Sequence, residues 1–294
     1  MDRFLRISYN LVLGAWAALV AWALLDPVWS LTGIAIVDPY LRALADGALV
    51  GVFVGAMIGA LEKYNTTTQA GPTALGCFIG ALIGLIGGVV GLLLANFLFL
   101  NLPLTGALQQ GLIVIGWAIF GVAVGIAPGI AAWSLWKTIA SSLGGCLGGL
   151  VGGAVLLALA SSLRLPWIAR AMGFVLLAVF VGMFIAFIQA VTKRATIKIT
   201  QQRVQGRPRE GLYFDIFKQR VSVGSGRDDW IISNDPQIAP RHIEIRQEGG
   251  KFVLHSMIPN NLARVQNQPA QKYVLNDGDR FWIGATEIAF KVKK

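Results

Sequence analysis

Two histidines (His242, His255), two cysteines (Cys77, Cys146) and fifteen carboxylates are the side chains of this 294-residue chain that could take part in catalysis. Nucleophilic catalysis needs a hydroxyl or thiol served by a base, and hydrolysis by paired carboxylates needs two acids facing one bond. No such pairing is visible here. The run Gly224-Ser225-Gly226 precedes a strand pattern rather than a helix, so it does not form the Gly loop that cradles a nucleotide phosphate. Both cysteines fall inside long apolar runs, where they serve as small packing residues and not as a disulfide or metal pair. The sequence therefore reads as a non-enzyme, with no catalytic residue, no cofactor and no metal.

The elements around these residues divide into two kinds. Up to about Arg194 charges are sparse and apolar runs long. Runs of about twenty apolar residues are what a bilayer demands and a soluble core does not. The pattern predicts an all-α transmembrane bundle over 1–194, with helices at 8–25, 41–62, 73–99, 110–133, 140–161 and 169–192. The first is retained and not cleaved, because it lacks a small-x-small site and continues through Trp22, Leu24 and Leu25. An inside N-terminus puts Arg3, Arg6, Lys63, Lys137, Lys193 and Arg194 in cytoplasmic loops and leaves Arg42, Arg164 and Arg170 outside. The positive-inside rule thus places both termini in the cytoplasm of a multi-pass plasma (inner) membrane protein. The +10 formal charge is then a membrane signal, drawn to anionic lipid, and calls for no nucleic acid.

Glycines recur every four residues: Gly47, Gly51, Gly55 and Gly59, then Gly76, Gly80, Gly84 and Gly88, then Gly121, Gly125 and Gly129, then Gly145, Gly149 and Gly153. That spacing makes one stripe per helix, and in lipid such stripes let backbones approach closely. They are expected to pack helices together, and they also offer a surface for a homo-oligomer. Gly51, Gly55 and Gly59 recur seventy positions later, and Cys77 recurs sixty-nine later as Cys146, which suggests a duplicated helical hairpin. The helix centres hold no Asp, Glu, Lys, Arg or His, which argues against an ion or substrate pathway.

From Ala195 to Lys294 short runs of β-branched and aromatic residues alternate with turn signals such as Gly249-Gly250 and Asn276-Asp277-Gly278. They predict strands at Thr196–Val204, Leu212–Ile216, Arg220–Val223, Trp230–Ile232, His242–Arg246, Phe252–Leu254, Ala263–Val265, Arg280–Ile283 and Glu287–Val292, an all-β sandwich over 195–294. Val223-Gly224-Ser225, Asp229-Trp230-Ile231-Ile232, Ile238-Ala239-Pro240-Arg241-His242, then Ser256, Asn261 and Val265, and finally Leu275-Asn276-Asp277-Gly278-Asp279-Arg280-Phe281-Trp282-Ile283-Gly284 resemble, in order and spacing, the motifs of the forkhead-associated (FHA) domain. The whole chain resembles bacterial proteins that join a Gly-rich multi-helix membrane region to a C-terminal FHA domain.

That resemblance implies an eleven-strand sandwich whose end loops bind phosphothreonine peptides, an Arg pairing the phosphate beside hydroxyl donors and an Asn holding the peptide backbone. This chain departs at several of those positions. Ser225 stands at the family Arg, Ala239 at its Ser, Pro240 at the following Arg, and Leu262-Ala263 at its Gly-Thr. The resemblance leaves Ser225, Arg227, Arg241, Ser256 and Asn261 as candidate phosphopeptide-binding residues, the two arginines lying one or two positions from the expected cations. It gives His242 a loop-bracing role. The implied function is a membrane-anchored signalling adaptor docking a cytoplasmic, threonine-phosphorylated protein. Two alternatives stay open: phosphate-independent assembly through a degenerate FHA fold, and a channel or transporter regulated by that domain.

Overall fold

The computed structural model describes residues 3–32, 38–67, 70–132, 134–162, 166–204, 210–226, 229–232 and 234–292. Among them the chain forms six helices and then eleven strands. It divides into two compact units, a helical one ending at Val191 and a β one from Thr192 onward.

The helices are α1 (Arg3–Thr32), α2 (Pro39–Thr67), α3 (Ala70–Asn101), α4 (Gly106–Ala131), α5 (Leu135–Ser162) and α6 (Pro166–Thr192). All run longer than the apolar stretches alone suggest, because polar residues at the ends continue the backbone ladder. Five contain segments long and apolar enough to cross a membrane, and α1 holds a shorter apolar stretch, Leu11–Pro27.

The glycine stripes of α2 and α3 face one another. Gly47 meets Gly88, Gly51 meets Gly84, Gly55 meets Gly80 and Gly59 meets Gly76, and a methyl group on any of them would fall inside the partner's carbonyl. The second hairpin, α4 and α5, repeats the device in a different register. Gly121 there meets Gly145, Gly125 meets Ser141 and Gly129 meets Thr138. By the sequence repeat Gly145 corresponds to Gly76, yet it packs where the counterpart of Gly84 would, a slide of two helical turns. Trp117 occupies the backbone space beside Gly149 and Gly153. A further stripe on α5, Gly144, Gly148 and Gly152, lies against Ile185, Val181 and Leu177 of α6. Leu177 and Val181 are fully buried in the helical core, with Phe120, Val124, Val50 and Val54.

Several charged and polar side chains in this unit are paired. Lys137, expected in a loop, belongs to the first turn of α5, is buried, and donates to the buried Glu62 carboxylate at the end of α2. Beside this pair in the sequence of α5, Ser141 accepts a 2.7 Å hydrogen bond from Gln189 of α6. At the other ends of their helices, Arg170 of α6 donates to Asp26 of α1 at 2.5 Å, and Arg42 lies 3.7 Å from Asp46 one turn along α2. A charge removed from water persists only with such a partner.

The β unit is a sandwich. One sheet has the order β2-β1-β11-β10-β7-β8 and the other β4-β3-β5-β6-β9. The strands are β1 (Ala195–Gln202), β2 (Tyr213–Ile216), β3 (Arg220–Gly224), β4 (Trp230–Ile231), β5 (Ile243–Glu248), β6 (Lys251–Ser256), β7 (Ala263–Val265), β8 (Gln268–Ala270), β9 (Lys272–Leu275), β10 (Arg280–Ile283) and β11 (Thr286–Val292). Strands β8 and β9 escape the sequence reading: Gln268-Pro269-Ala270 has no β-branched residue, and Lys272-Tyr273-Val274-Leu275 buries only Leu275 fully. Alternation drives the rest. Ile197 and Ile199, Ile243 and Ile245, Phe281 and Ile283, and Ile288 and Phe290 all point between the sheets.

Candidate functional site

Three of the candidate residues, Ser225, Arg241 and Asn261, gather where loops leave the strands at one end of the sandwich. The loop from 232 to 242 organises that end. Asp235, 1% exposed, accepts from the Gln237 N–H at 3.0 Å and, through Oδ2, from the Ala285 N–H and the Thr286 hydroxyl, both at 2.8 Å. A buried carboxylate with three donors locks its loop to the β10–β11 turn. Asn234 of this loop and Gln202 at the end of β1 are joined by a pair of reciprocal amide hydrogen bonds at 2.8 and 3.0 Å. The turn signal Asn234-Asp235-Pro236 is legible in the sequence, but this bracing is not.

The tip of the loop is set by His242. Its ring is fully buried, and Nδ1 accepts from the Ala239 N–H at 3.1 Å. Burial pushes the imidazole below its ordinary range, against the opposing influence of the Asn261 backbone and Asp235. A neutral ring is what the Ala239 contact requires, since a protonated Nδ1 could not accept. His242 thus takes the loop-bracing role expected of it. The backbone just before it is turned sharply: Arg241 has φ +48°, in the left-handed region that costs a side chain about 1 kcal/mol or more, and is exposed.

The neighbouring loops are tied to this tip. The Ser225 N–H donates to the Ala239 carbonyl at 3.2 Å, and Gly226 packs on Pro240, where a Cβ would lie 2.8 Å from the proline ring. From the β6–β7 loop, Asn261 Nδ2 donates to the Gln237 carbonyl at 2.8 Å. Its side-chain oxygen, Oδ1, makes no hydrogen bond among the described residues and stays available as an acceptor.

Three of the five candidates therefore share this face: Ser225, Arg241 and Asn261. Ser256 is committed internally, its hydroxyl donating to the Ala270 carbonyl at 2.7 Å and accepting from the Ala263 N–H at 3.0 Å. That arrangement staples β6 to β7 and leaves little for a ligand. Arg227 lies outside the described residues. Asp229 sits at the rim, where it is paired with Lys218 at 2.7 Å and with the Ser222 N–H at 3.0 Å. Among the described residues no three His, Cys, Asp or Glu side chains converge to hold a metal. What the face can do is grip an extended polypeptide: a side-chain acceptor for its backbone, a hydroxyl at Ser225, and a cation on a rigid turn.

Comparison with known proteins agrees with this geometry. The family model described as FHA domain matches residues 221–284. The FHA domain-containing protein FhaA of Mycobacterium tuberculosis is 33% identical over 70 residues, which cover 24% of this chain and 13% of that protein. The glycogen accumulation regulator GarA of Mycolicibacterium smegmatis is 31% identical over 83 residues, which cover 28% of this chain and 52% of that protein. The match thus spans about half the length of one curated relative and a small part of the other. Among solved structures, the FhaA FHA domain complexed with the intracellular domain of a second protein is 24% identical, covering 33% of this chain and 99% of that one, with a TM-score of 0.28. A domain solved in a study of phosphothreonine-dependent FHA interactions is likewise 24% identical, over 34% and 98% of the two chains, with a TM-score of 0.30. Residues 221–284 are an FHA domain, and the flanking strands complete its sandwich.

Proposed function

We propose that this FHA domain, carried on a membrane-spanning helical bundle, makes the protein a membrane-anchored docking adaptor whose loop face binds a cytoplasmic partner protein. The observation that carries the reading is the braced loop end itself: Asp235 and His242, both buried, hold Arg241, Ser225 and Asn261 on one face. A preorganised face loses less on binding than a floppy one. Asn261 holds the peptide backbone, and Arg241 and Arg227 supply the charge for a phosphothreonine, because Ser225 cannot pair a phosphate dianion as a cation would. FHA domains are interaction modules, and no catalytic step is assigned.

A second reading, docking without phosphate, is favoured by two observations. Ser256 is consumed by Ala270 and Ala263, and Ser225 and Ala239 stand where the family has Arg and Ser.

Membrane anchoring is supported by the helical unit's surface. Along α3, Leu75, Phe78, Leu82, Ile86, Val90, Leu94 and Phe97 are all exposed, a stripe that lipid accommodates and water does not. In the proposed topology both termini are cytoplasmic, and two of the three outer arginines, Arg42 and Arg170, lie beside acids. Since the α2 and α3 glycines close on each other within the chain, a homo-oligomer would use other faces. A photo-crosslinking residue placed at Gln237 in the membrane-bound chain tests the docking face. It is expected to capture a partner that one at Lys251, at the start of β6 after the Gly249-Gly250 turn, does not; equal capture at both positions would refute it.

A further inference from the structure

The outer surfaces of the two sheets carry opposite electrostatic designs. On the five-stranded sheet cations and acids are interlaced: Glu244 lies between Arg220 and Arg246, and Glu248 between Lys272 and His255. Burial raises Glu244, but hydrogen bonds from Arg246 and Arg220 outweigh it and leave the carboxyl lowered. That surface is self-satisfied.

The six-stranded sheet is different. Ile197, Ile199, Phe281, Ile283, Ile288 and Phe290 face the core, so strand alternation turns Lys198, Arg280, Trp282 and Lys291 outward. The register aligns Lys198 with Ala289 and Ala289 with Arg280, and on the next row Glu287 with Trp282 and Trp282 with Arg264. Arg203 lies over the Trp282 ring at 4.9 Å. Only two acids interrupt these cations in the paired rows. Asp215 is taken by Lys193 and Thr196, and Glu287 by Thr200 with Arg280 at 3.8 Å. Among the described residues Lys198, Arg264 and Lys291 make no ion pair. The face is thus a basic plateau with the half-buried Trp282 at its surface, the side-chain mixture suited to an anionic headgroup layer.

We infer that the outer face of the six-stranded sheet docks onto anionic phospholipid. The inference rests on the reading of the helices as membrane spans. Connectivity makes lipid the favoured occupant. Helix α6 ends at Thr192 and β1 starts at Ala195, so three peptide steps, roughly 10 Å, separate the two. Strand β1 itself carries Lys198 on the plateau. A tether that short holds the sheet at the bilayer surface at high effective concentration, and the attraction of each cation operates within a Debye length of about 8 Å. Docking in this way would orient the loop face of the FHA domain relative to the membrane and limit which partners reach it.

The test uses the whole chain in nanodiscs, with Cys77→Ala and Cys146→Ala and a donor dye on Gln268→Cys, opposite Val265 on the edge strand. Energy transfer to headgroup-labelled lipid is compared between discs of phosphatidylcholine and discs containing one-third phosphatidylglycerol. Both leaflets of a disc are alike, so membrane sidedness does not enter, and assembly of the disc verifies the spanning helices separately. Transfer is expected to be higher in anionic discs and to fall with salt. The triple variant Lys198→Gln/Arg264→Gln/Lys291→Gln is expected to abolish it, each cation being worth about five-fold in the ratio of docked to free. The pair Lys251→Gln/Lys272→Gln, on the other sheet, should leave transfer as it was. Transfer indifferent to lipid charge overturns the inference, as does an equal effect of the two variants. Quenching by added polyglutamate but not by anionic lipid would overturn it too, and assign the face to an acidic protein.

Discussion

Gly148→Ala probes how closely the helices of the bundle depend on bare backbone. A methyl group built there lies 2.5 Å from Val181 Cα, 2.6 Å from the Phe180 carbonyl oxygen and 2.7 Å from Val181 N. Ordinary contact begins near 3.4 Å, so α5 and α6 would have to part by about 0.9 Å. All three obstructing atoms are backbone, so no rotamer change relieves the clash. Overpacking of a tight core costs about 1–3 kcal/mol, and an immovable backbone points to the upper end. Ala gains back about 1 kcal/mol of helix propensity, which leaves a net loss of roughly 2 kcal/mol. Gly111→Ala in α4 is the control, because nothing lies within 4 Å of its added methyl. There only the propensity gain remains, and the sign reverses. The assay heats detergent-solubilised protein and measures the monodisperse fraction by size-exclusion chromatography. Gly148→Ala should lower the midpoint temperature, and Gly111→Ala should hold or raise it. Two variants moving the same way would refute the claim that these glycines exist for close packing.

Gly55→Leu or Gly125→Leu, on the facing stripes, should push helices apart further and lower folded yield; parent-like expression and heat resistance of both would place the stripes in lipid. Lys137→Met removes the cation that donates to the buried Glu62 carboxylate and should cost up to about 3–5 kcal/mol, whereas Lys137→Met/Glu62→Leu should recover most of it, as a double-mutant cycle in detergent would register. His242 has its folded pKa depressed by burial, so it binds a proton more readily when unfolded. Stability of the β unit is therefore whole above the ordinary value of about 6.5 and declines as pH falls through the folded value. Denaturant melts should show that decline in the parent and a flatter profile in His242→Gln. Residues 195–294 expressed alone should fold, as judged by circular dichroism and dispersed NMR signals, because the strands and turns form a closed set with their own core.

Much of this architecture is legible from side-chain periodicity. Apolar runs of bilayer length place the helices, and four-residue glycine spacing marks the contact faces of α2 and α3. Register is not carried by that spacing. Gly145 meets Gly121 and not the counterpart its repeat suggests, because Ser141 and Thr138 are small enough to continue the contact and Trp117 takes the space beyond. In the sandwich, β8 and β9 are missed because edge and half-exposed strands need few apolar residues. At the loop face, Ser225, Arg241 and Asn261 emerge from motif order alone. The bracing by Asp235 depends on contacts with residues 285 and 286, fifty or so positions away, and the commitment of Ser256 to the β6–β7 staple depends on how three neighbouring strands pair, neither of which a local pattern encodes.

The most direct measurement is a titration of the full chain in nanodiscs with phosphothreonine peptides and their unphosphorylated twins, for the parent, Arg227→Ala, Arg241→Ala and Asn261→Ala. The account predicts tighter binding of the phosphorylated form. Loss of either arginine should erode that preference by about 1–3 kcal/mol, the range for hydrogen bonds to charged groups. Asn261→Ala should weaken both forms alike. Equal affinity for the twins, or binding unmoved by the loss of both arginines, would contradict phosphate recognition, and binding unmoved by Asn261→Ala as well would take the docking site off this face altogether.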